Sequence, residues 1–296
     1  MSLDDAVLLT DITPTGYQAA EMAGIQPGDT VVVFGAGPVG IMAARCCWLF
    51  GAGRVIIIDK EDYRLEFAQN FAKCEAYNFE SDMDDPVMFI KKQTDWIGAD
   101  ACIDAVGAEA AGNAMQTITG RKALLQAGSA TALHWAINSV RKGGVISIVG
   151  VYGPTDNLVP IGNMMNKGIT MRGNQASVKR HLPRLIDHVM NGILKPSELI
   201  THRIPLEDVA DGYRMFSAKL DNIIKPVLIP PLLTPNAAHH EKDRRRLRPH
   251  PRLGHRRRPR QRTHLPQPPP HRRRARRPLL GAAHPTGARP GSAAFH

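Results

Sequence analysis

Long apolar runs are missing from these 296 residues. The strongest, Val31-Val32-Val33-Phe34 and Val55-Ile56-Ile57-Ile58, stop at glycine or charge, far short of the ~18–20 residues that cross a bilayer. No membrane partner is expected. The start, Met1-Ser2-Leu3-Asp4-Asp5, lacks a basic segment followed by an apolar one, so no secretory leader is visible. Cysteine is scarce. Cys46, Cys47, Cys74 and Cys102 show neither zinc-finger nor Cys-x-x-Cys spacing, which argues against a disulfide framework. They read as reduced core or half-buried thiols of a cytoplasmic protein.

Acidic residues are also nearly absent from one end. Residues 1–230 hold 21 Lys and Arg against 25 Asp and Glu, a net of −4, whereas residues 231–296 hold 17 against 2, a net of +15. The overall charge of +11 therefore describes the tail, and gives no reason to read the rest as a nucleic-acid binder.

What is present is an alternation of strands and helices, the pattern of an α/β doubly wound parallel sheet of the Rossmann type. Val31–Phe34, Val55–Ile58, Ala101–Ala105 and Val145–Val149 read as strands. Their unbroken apolar character suits strands buried on both faces. Val39–Phe50 (ended by Gly51-Ala52-Gly53), Arg64–Lys73 and Ala132–Val140 read as helices between them. Beyond Gly150 follow a strand at Ile169–Arg172, a helix at Lys179–Met190, a helix at Leu206–Phe216 entered at Pro205, and a terminal strand at Asn222–Ile229.

The chemistry sits at the first strand's end, Gly35-Ala36-Gly37-Pro38-Val39-Gly40. A Gly-x-Gly-x-x-Gly turn is weak evidence alone. Between a strand and a helix it gains a mechanism. Gly35 permits the tight turn, Gly37 lets a pyrophosphate approach the backbone, and Gly40 lets the helix pack close to the sheet. The phosphates would rest on free N–H groups at the positive helix end. Asp59 closes the second strand 19 residues after Gly40, where a carboxylate grips both ribose hydroxyls and repels a 2′-phosphate. That favours NAD over NADP, although Lys60 and Arg64 nearby blur the preference. A flavin or other nucleotide site on the same fold is the competing reading.

At this point the chain resembles the medium-chain zinc-dependent alcohol dehydrogenases. The likeness rests on Asp11-Ile12-Thr13-Pro14-Thr15-Gly16-Tyr17, Gln26-Pro27-Gly28-Asp29-Thr30-Val31, the glycine turn, Gly143–Tyr152 and Ile200–Leu206. It covers roughly residues 5–230. The first of these signatures and an extra stretch around Gly120–Thr131 are closest to the glutathione-independent formaldehyde dehydrogenase branch. The resemblance implies cofactor contacts at Gly35, Gly37, Pro38 and Val39 for the pyrophosphate and at Asp59 and Arg64 for the adenosine. It adds Thr15, Val106, Val149 and Val151 beside the nicotinamide, and Lys225 near the phosphates. It places Asp11 as one ligand of a catalytic zinc, though by spacing alone Asp11 is a helix cap or loop acid.

The family's N-terminal catalytic domain, with its zinc-binding Cys and His and its four-Cys lobe, has no counterpart here. The expected organisation is therefore the end of that domain at 1–11 and an NAD-binding domain at 12–175. A returning segment follows at 176–230, then a disordered Arg/Pro/His-rich tail at 231–296. The implied function is NAD-dependent oxidation of a small alcohol or aldehyde, in a family that is commonly homo-oligomeric. One carboxylate cannot hold zinc, which needs about three protein ligands, so this chain alone is expected to bind NAD weakly, without zinc and without turnover. A non-catalytic NAD-binding remnant is the alternative. His134, His181, His188 and His202 offer no substitute ligands. His181 and His188 sit two turns apart, about 10 Å at ~1.5 Å per residue, and read as solvated helix-surface side chains. Asp104, ending a strand near the cleft, reads as structural or loop-capping.

The tail holds 16 Arg, 8 His, 12 Pro and one aromatic, Phe295. That is the composition of a GC-rich gene read out of frame. A genuine polybasic arm for nucleic acid or lipid is the rival. Titration with duplex DNA, with and without residues 231–296, separates the two. A tail without evolved function gives only sequence-blind binding that collapses as salt rises; retention of one sequence at physiological salt would contradict that reading.

Overall fold

Short, mostly apolar strands joined by helices leave the chain few arrangements, and the computed structural model shows the one that buries both faces of the sheet. It describes residues 1–107, 130–152 and 159–231. The tail beyond residue 231 and most of the Gly120–Thr131 stretch lie outside the described residues.

Six parallel strands form the main sheet: β1 (Thr30–Phe34), β2 (Arg54–Asp59), β3 (Glu75–Asn78), β4 (Ala99–Asp104), β5 (Val140–Ile148) and β6 (Thr170–Gly173). Their spatial order is β3-β2-β1-β4-β5-β6. The chain runs outward from β1 through β2 to β3, then returns to lay β4 on the other side of β1. That reversal opens a crevice at the carboxyl ends of β1 and β4. Parallel pairing keeps Phe34 opposite Ile58 on one side and Asp104 on the other, so all three strand ends reach the same edge.

Helices cover both faces. α1 (Leu3–Leu8) and α2 (Ile12–Met22) precede β1, α3 (Pro38–Cys47) joins β1 to β2, and α4 (Asp62–Ala72) joins β2 to β3. α5 (Pro86–Gln93) leads toward β4, and α6 (Thr131–Ser139) into β5. α7 (Ile161–Lys167) precedes β6, and α8 (Val178–Met190) follows it. Alternate strand residues feed opposite layers. Val31, Val33, Val55, Ile57, Ala101 and Ile103 pack with α2, α3 and α4, whereas Val32, Phe34, Ile56, Ile58, Cys102 and Ile146 pack with α5 and α6. This is why the inner strands β1 and β2 are unbroken apolar runs rather than alternating polar with apolar. All four cysteines are buried and unpaired, as expected of core thiols. Burial pushes the thiols of Cys46, Cys74 and Cys102 up to about 12 and that of Cys47 well above its ordinary value.

α2 meets α3 closely at Gly16. A Cβ there would lie 2.8 Å from the Ala43 nitrogen and from Met42 Cβ and Cγ, so α2 sits almost backbone-to-backbone on α3. Among the described residues no helix is long and apolar enough to cross a membrane.

The rest of the chain departs from expectation in instructive ways. β7 (His202–Pro205) and β8 (Pro226–Ile229) pair in parallel as a separate two-stranded sheet, with His202 opening the first strand. The expected helix Leu206–Phe216 splits into a 3-10 turn over Leu206–Asp208 and α9 (Val209–Ser217). The terminal strand begins at Pro226 rather than Asn222. Lys219, Asp221 and Asn222 hold positive φ angles of 54°, 53° and 52°, and this left-handed backbone cannot extend into a ladder.

The expectation of solvated helix histidines is wrong for His181, which is buried between α8 and α2. Its Nε2 lies 3.3 Å from Gln18 Oε1, which also accepts from the Ser177 N–H at 2.8 Å. Gln18 Nε2 in turn donates to the Gln175 carbonyl at 3.1 Å. The Tyr17 ring lies against both His181 and His188, and Arg184 donates to the Tyr17 hydroxyl. One glutamine thus ties the start of α8 to α2, and a histidine had to be buried to complete the joint.

Burial lowers the His181 pKa, opposed by Glu21 and reinforced by Arg180 and Arg184. A depressed histidine favours the neutral fold, so its contribution is present above the ordinary value near 6.5 and lost as pH falls below it. Hydrogen exchange along α8, corrected for intrinsic rates, is expected to accelerate between about pH 7.5 and 5.5, and His181→Phe to flatten that dependence. Unchanged protection of the wild type across this range would contradict the assignment.

Candidate functional site

β1 delivers Gly35 to the crevice with φ +96°, a left-handed value that favours glycine. The Gly35 N–H donates to the Ile58 carbonyl at 2.8 Å, which anchors the turn to β2. The chain then reverses into α3, with Gly37 as its N-cap and Pro38 at its first position, where a missing N–H has no cost. The next N–H groups, of Val39 and Gly40, belong to the first helical turn, whose amides have no acceptor four residues back.

The glycines differ in what they spare. At Gly40 a Cβ would fall 1.8 Å from the Gly35 carbonyl oxygen and 3.4 Å from Ala105 Cβ. The expected packing of helix on sheet is thus mainly a contact of the turn with itself. At Gly37 nothing lies within 4 Å of a Cβ position. That open space lies above the helix N-terminus, where a pyrophosphate would need the backbone bare.

Asp59, at the end of β2, points into this turn. Its Oδ2 accepts from the Ala36 N–H at 2.6 Å, and its Oδ1 accepts from the N–H groups of Lys60 and Glu61 at 2.7 and 3.1 Å. The acid therefore bridges β2 and the glycine turn. Arg64 Nε donates to the Tyr63 hydroxyl at 3.0 Å, with its guanidinium over that ring.

On the other side of β1, Val106, Val149 and Val151 lie just past the ends of β4 and β5, on the same edge. The Val151 N–H reaches the Val106 carbonyl at 3.4 Å. Between them sits Asp104, fully buried. Burial raises its pKa to about 6 against the opposing pull of the Tyr152 hydroxyl and the Val106 N–H, both of which it accepts. A raised carboxyl favours the fold most below the ordinary value of 3.8, and that contribution is lost as pH rises through about 6. Tyr152 as a partner of Asp104, 48 residues away, is what sequence reasoning missed.

Thr15 and Asp11 form a second, local group. The Thr15 hydroxyl donates to the Asp11 carbonyl at 2.7 Å and lies 3.0 Å from its carboxylate. Asp11 stands at the N-cap position of α2 without a side-chain cap bond. Lys225 is brought near Asp11: burial lowers its pKa, and the Asp11 charge opposes that shift. A zinc ion does not fit this donor set. Among the described residues no three His, Cys, Asp or Glu side chains come together, and Asp11 is a lone carboxylate. A separate cavity of about 560 Å³, lined in part by Tyr63, Phe67, Phe71, Glu198, His202 and Asp221, shares no residue with the glycine turn.

The strand order and the strand–turn–helix at Gly35–Gly40 are those of a Rossmann-like fold, and comparison with known proteins agrees. Residues 38–125 match the family model described as zinc-binding dehydrogenase. The match supports kinship of this part of the chain with the NAD-binding half of zinc-type alcohol dehydrogenases. An uncharacterized zinc-type alcohol dehydrogenase-like protein of Bacillus subtilis is 39% identical over 224 residues, which are 75% of this chain and 58% of that protein. A probable zinc-binding alcohol dehydrogenase of Mycobacterium tuberculosis is 30% identical, over 82% of this chain and 56% of its own length. Among solved structures, an alcohol dehydrogenase from Thermus sp. ATN1 superposes with a TM-score of 0.67 at 29% identity, covering 78% of this chain and 60% of that one. The chain thus spans little more than half the length of these zinc-type alcohol dehydrogenases.

The two glycines make a paired test. Gly40→Ala is expected to cost about 1–3 kcal/mol in urea unfolding, because backbone rather than a flexible side chain must give way. Gly37→Ala should cost under about 1 kcal/mol, a helix N-cap change into open space. Equal costs would mean that the turn is not shaped as described.

Proposed function

We propose that this chain binds NAD in the crevice between β1 and β4 as the cofactor half of an oxidoreductase acting on a small alcohol or aldehyde. The observation that carries the reading is the open space at Gly37 above the α3 N-terminus, with the Asp59 carboxylate held beside it by the Ala36 N–H. A pyrophosphate would accept from the first-turn N–H groups of α3, with Pro38 and Val39 at its edge and Lys225 supplying positive charge. Asp59, with Arg64 near it, would take the adenosine ribose. Thr15, Val106, Val149 and Val151 would face the nicotinamide, which supplies the hydride-accepting carbon when bound.

A carboxylate at the ribose favours NAD. The family contains both cofactor types: a probable NADP-dependent isopropanol dehydrogenase of Mycoplasma pneumoniae is 30% identical over 77% of this chain. On the Asp11–Tyr17 signature we place the chain nearest the glutathione-independent formaldehyde dehydrogenases. Because Asp11 has no companion donors among the described residues, our reading is that the chain by itself binds the dinucleotide without oxidising alcohols. The domain limits that go with this reading are 12–175 for NAD binding and 176–230 for a returning segment.

Calorimetric titration tests it. Wild type is expected to bind NAD more tightly than NADP. Asp59→Asn, which keeps an acceptor for the Ala36 N–H and removes the charge, should narrow that difference by about tenfold, the scale of one charged hydrogen bond. Gly37→Val should abolish binding while leaving circular dichroism unchanged. No heat with NAD, or undiminished binding by Gly37→Val, would refute the assignment.

A further inference from the structure

The ends of β4 and β5 carry a paired acid and tyrosine, Asp104 and Tyr152, that the dinucleotide reading leaves unused. Asp104 is 0% exposed, yet it lies a few residues from the mouth of the crevice. Outside the strand ladder its carboxylate and main-chain carbonyl accept four hydrogen bonds, all from the segments that leave the two strands. Oδ1 accepts from the Val106 N–H at 3.1 Å, and Oδ2 accepts from the Tyr152 hydroxyl. Its main-chain carbonyl accepts from the N–H groups of both Val149 and Gly150 at 2.9 Å. Gly150 must be glycine for this packing, since a Cβ there would lie 3.0 Å from Oδ1 and 2.9 Å from the Val106 carbonyl. The same segment braces the phosphate turn: a Cβ at Gly35 would meet the Ala105 carbonyl at 3.0 Å and Val106 Cγ2 at 3.3 Å.

We propose that Asp104 is a positioning residue for the nicotinamide end of the crevice, holding the Val106 and Val149–Tyr152 segments in the one arrangement that presents a ring-sized apolar wall. The proposal rests on the dinucleotide reading above. A buried carboxylate is expensive unless it is hydrogen-bonded, and every partner it has among the described contacts lies in these two segments. An apolar residue in its place would leave the Val106 N–H and the Tyr152 hydroxyl seeking other acceptors. The two segments would then part, although the sheet beneath them, held by the Ile103–Val33 and Cys102–Val32 registers, would remain. Val151, half exposed at the rim, is the side chain whose place depends most on this brace.

The test separates the two ends of the cofactor. ADP-ribose carries the adenosine and pyrophosphate but no nicotinamide, while NADH carries a ring whose emission reports its surroundings. Both are titrated against the full chain, by calorimetry and by fluorescence, with wild type, Asp104→Ala, Asp104→Asn and Tyr152→Phe. Asp104→Ala is expected to weaken NADH by about tenfold, the scale of one lost hydrogen bond to a buried charge, and to lose most of the emission change. Its ADP-ribose affinity should stay within about threefold. Asp104→Asn, which keeps an acceptor for the Val106 N–H, should restore NADH binding. Tyr152→Phe removes a single hydroxyl, and should show a smaller loss in the same direction even if Asp104→Ala does not fold. Parallel loss of both ligands, or an unmoved NADH signal in Tyr152→Phe and Asp104→Ala, would overturn the proposal. If wild type binds ADP-ribose but places the nicotinamide ring in no altered environment, the brace has nothing to position and the proposal falls while the dinucleotide reading stands. If wild type binds neither ligand, the dinucleotide reading itself fails.

Discussion

The site depends on a carbonyl oxygen occupying the place where a side chain at position 40 would begin. Gly35 turns its C=O toward the first turn of α3, and only the absence of a Cβ at Gly40 lets the helix start that close to the strand. That contact sets where the helix N-terminus sits relative to β1. It thereby sets where the unsatisfied amides point and how far Asp59 must reach to meet the Ala36 N–H. A turn one residue longer would move the amides out of the crevice and leave Asp59 with only its local partners.

The layers beneath make that geometry stiff. β1 is flanked by β2 and β4, and its residues alternate between two cores that are both apolar. α3 is clamped from outside by α2, whose Gly16 admits the Ala43 backbone within van der Waals range. The helix bearing the N-terminal amides is therefore held at its start by the glycine turn and at its middle by α2. Such a site is largely formed before any ligand arrives, which limits the ordering cost of binding.

How much of this could be read from residues alone varies with the range of the interactions involved. β1, β2, β4 and β5 were legible because their apolar runs are dictated by burial on both faces. The glycine turn was legible because its conformation needs glycine at fixed spacing. Asp59 was legible as the first acid after the second run. β3 and α5 were not anticipated: Glu75–Asn78 is four mixed residues at a sheet edge, and edge strands are under weak compositional constraint. The lone helix expected over Leu206–Phe216 failed at its start, where a 3-10 turn satisfies the same sequence. Burial of His181 was invisible, because it is determined by Gln18, 163 residues earlier, which needs a donor to complete its hydrogen bonds. The pairing of Tyr152 with Asp104 was hidden for the same reason. Each residue is ordinary in its own segment, and only the strand order brings them together.

The buried cysteines have a practical use. Cys46, Cys47 and Cys74 lie in one core layer and Cys102 in the other, all with thiols held protonated at neutral pH by their surroundings. A thiolate-seeking reagent therefore meets no reactive sulfur in these four positions until the protein opens. Labelling rates then become a clock for opening, and the identity of the labelled cysteine tells which side of the sheet came apart first.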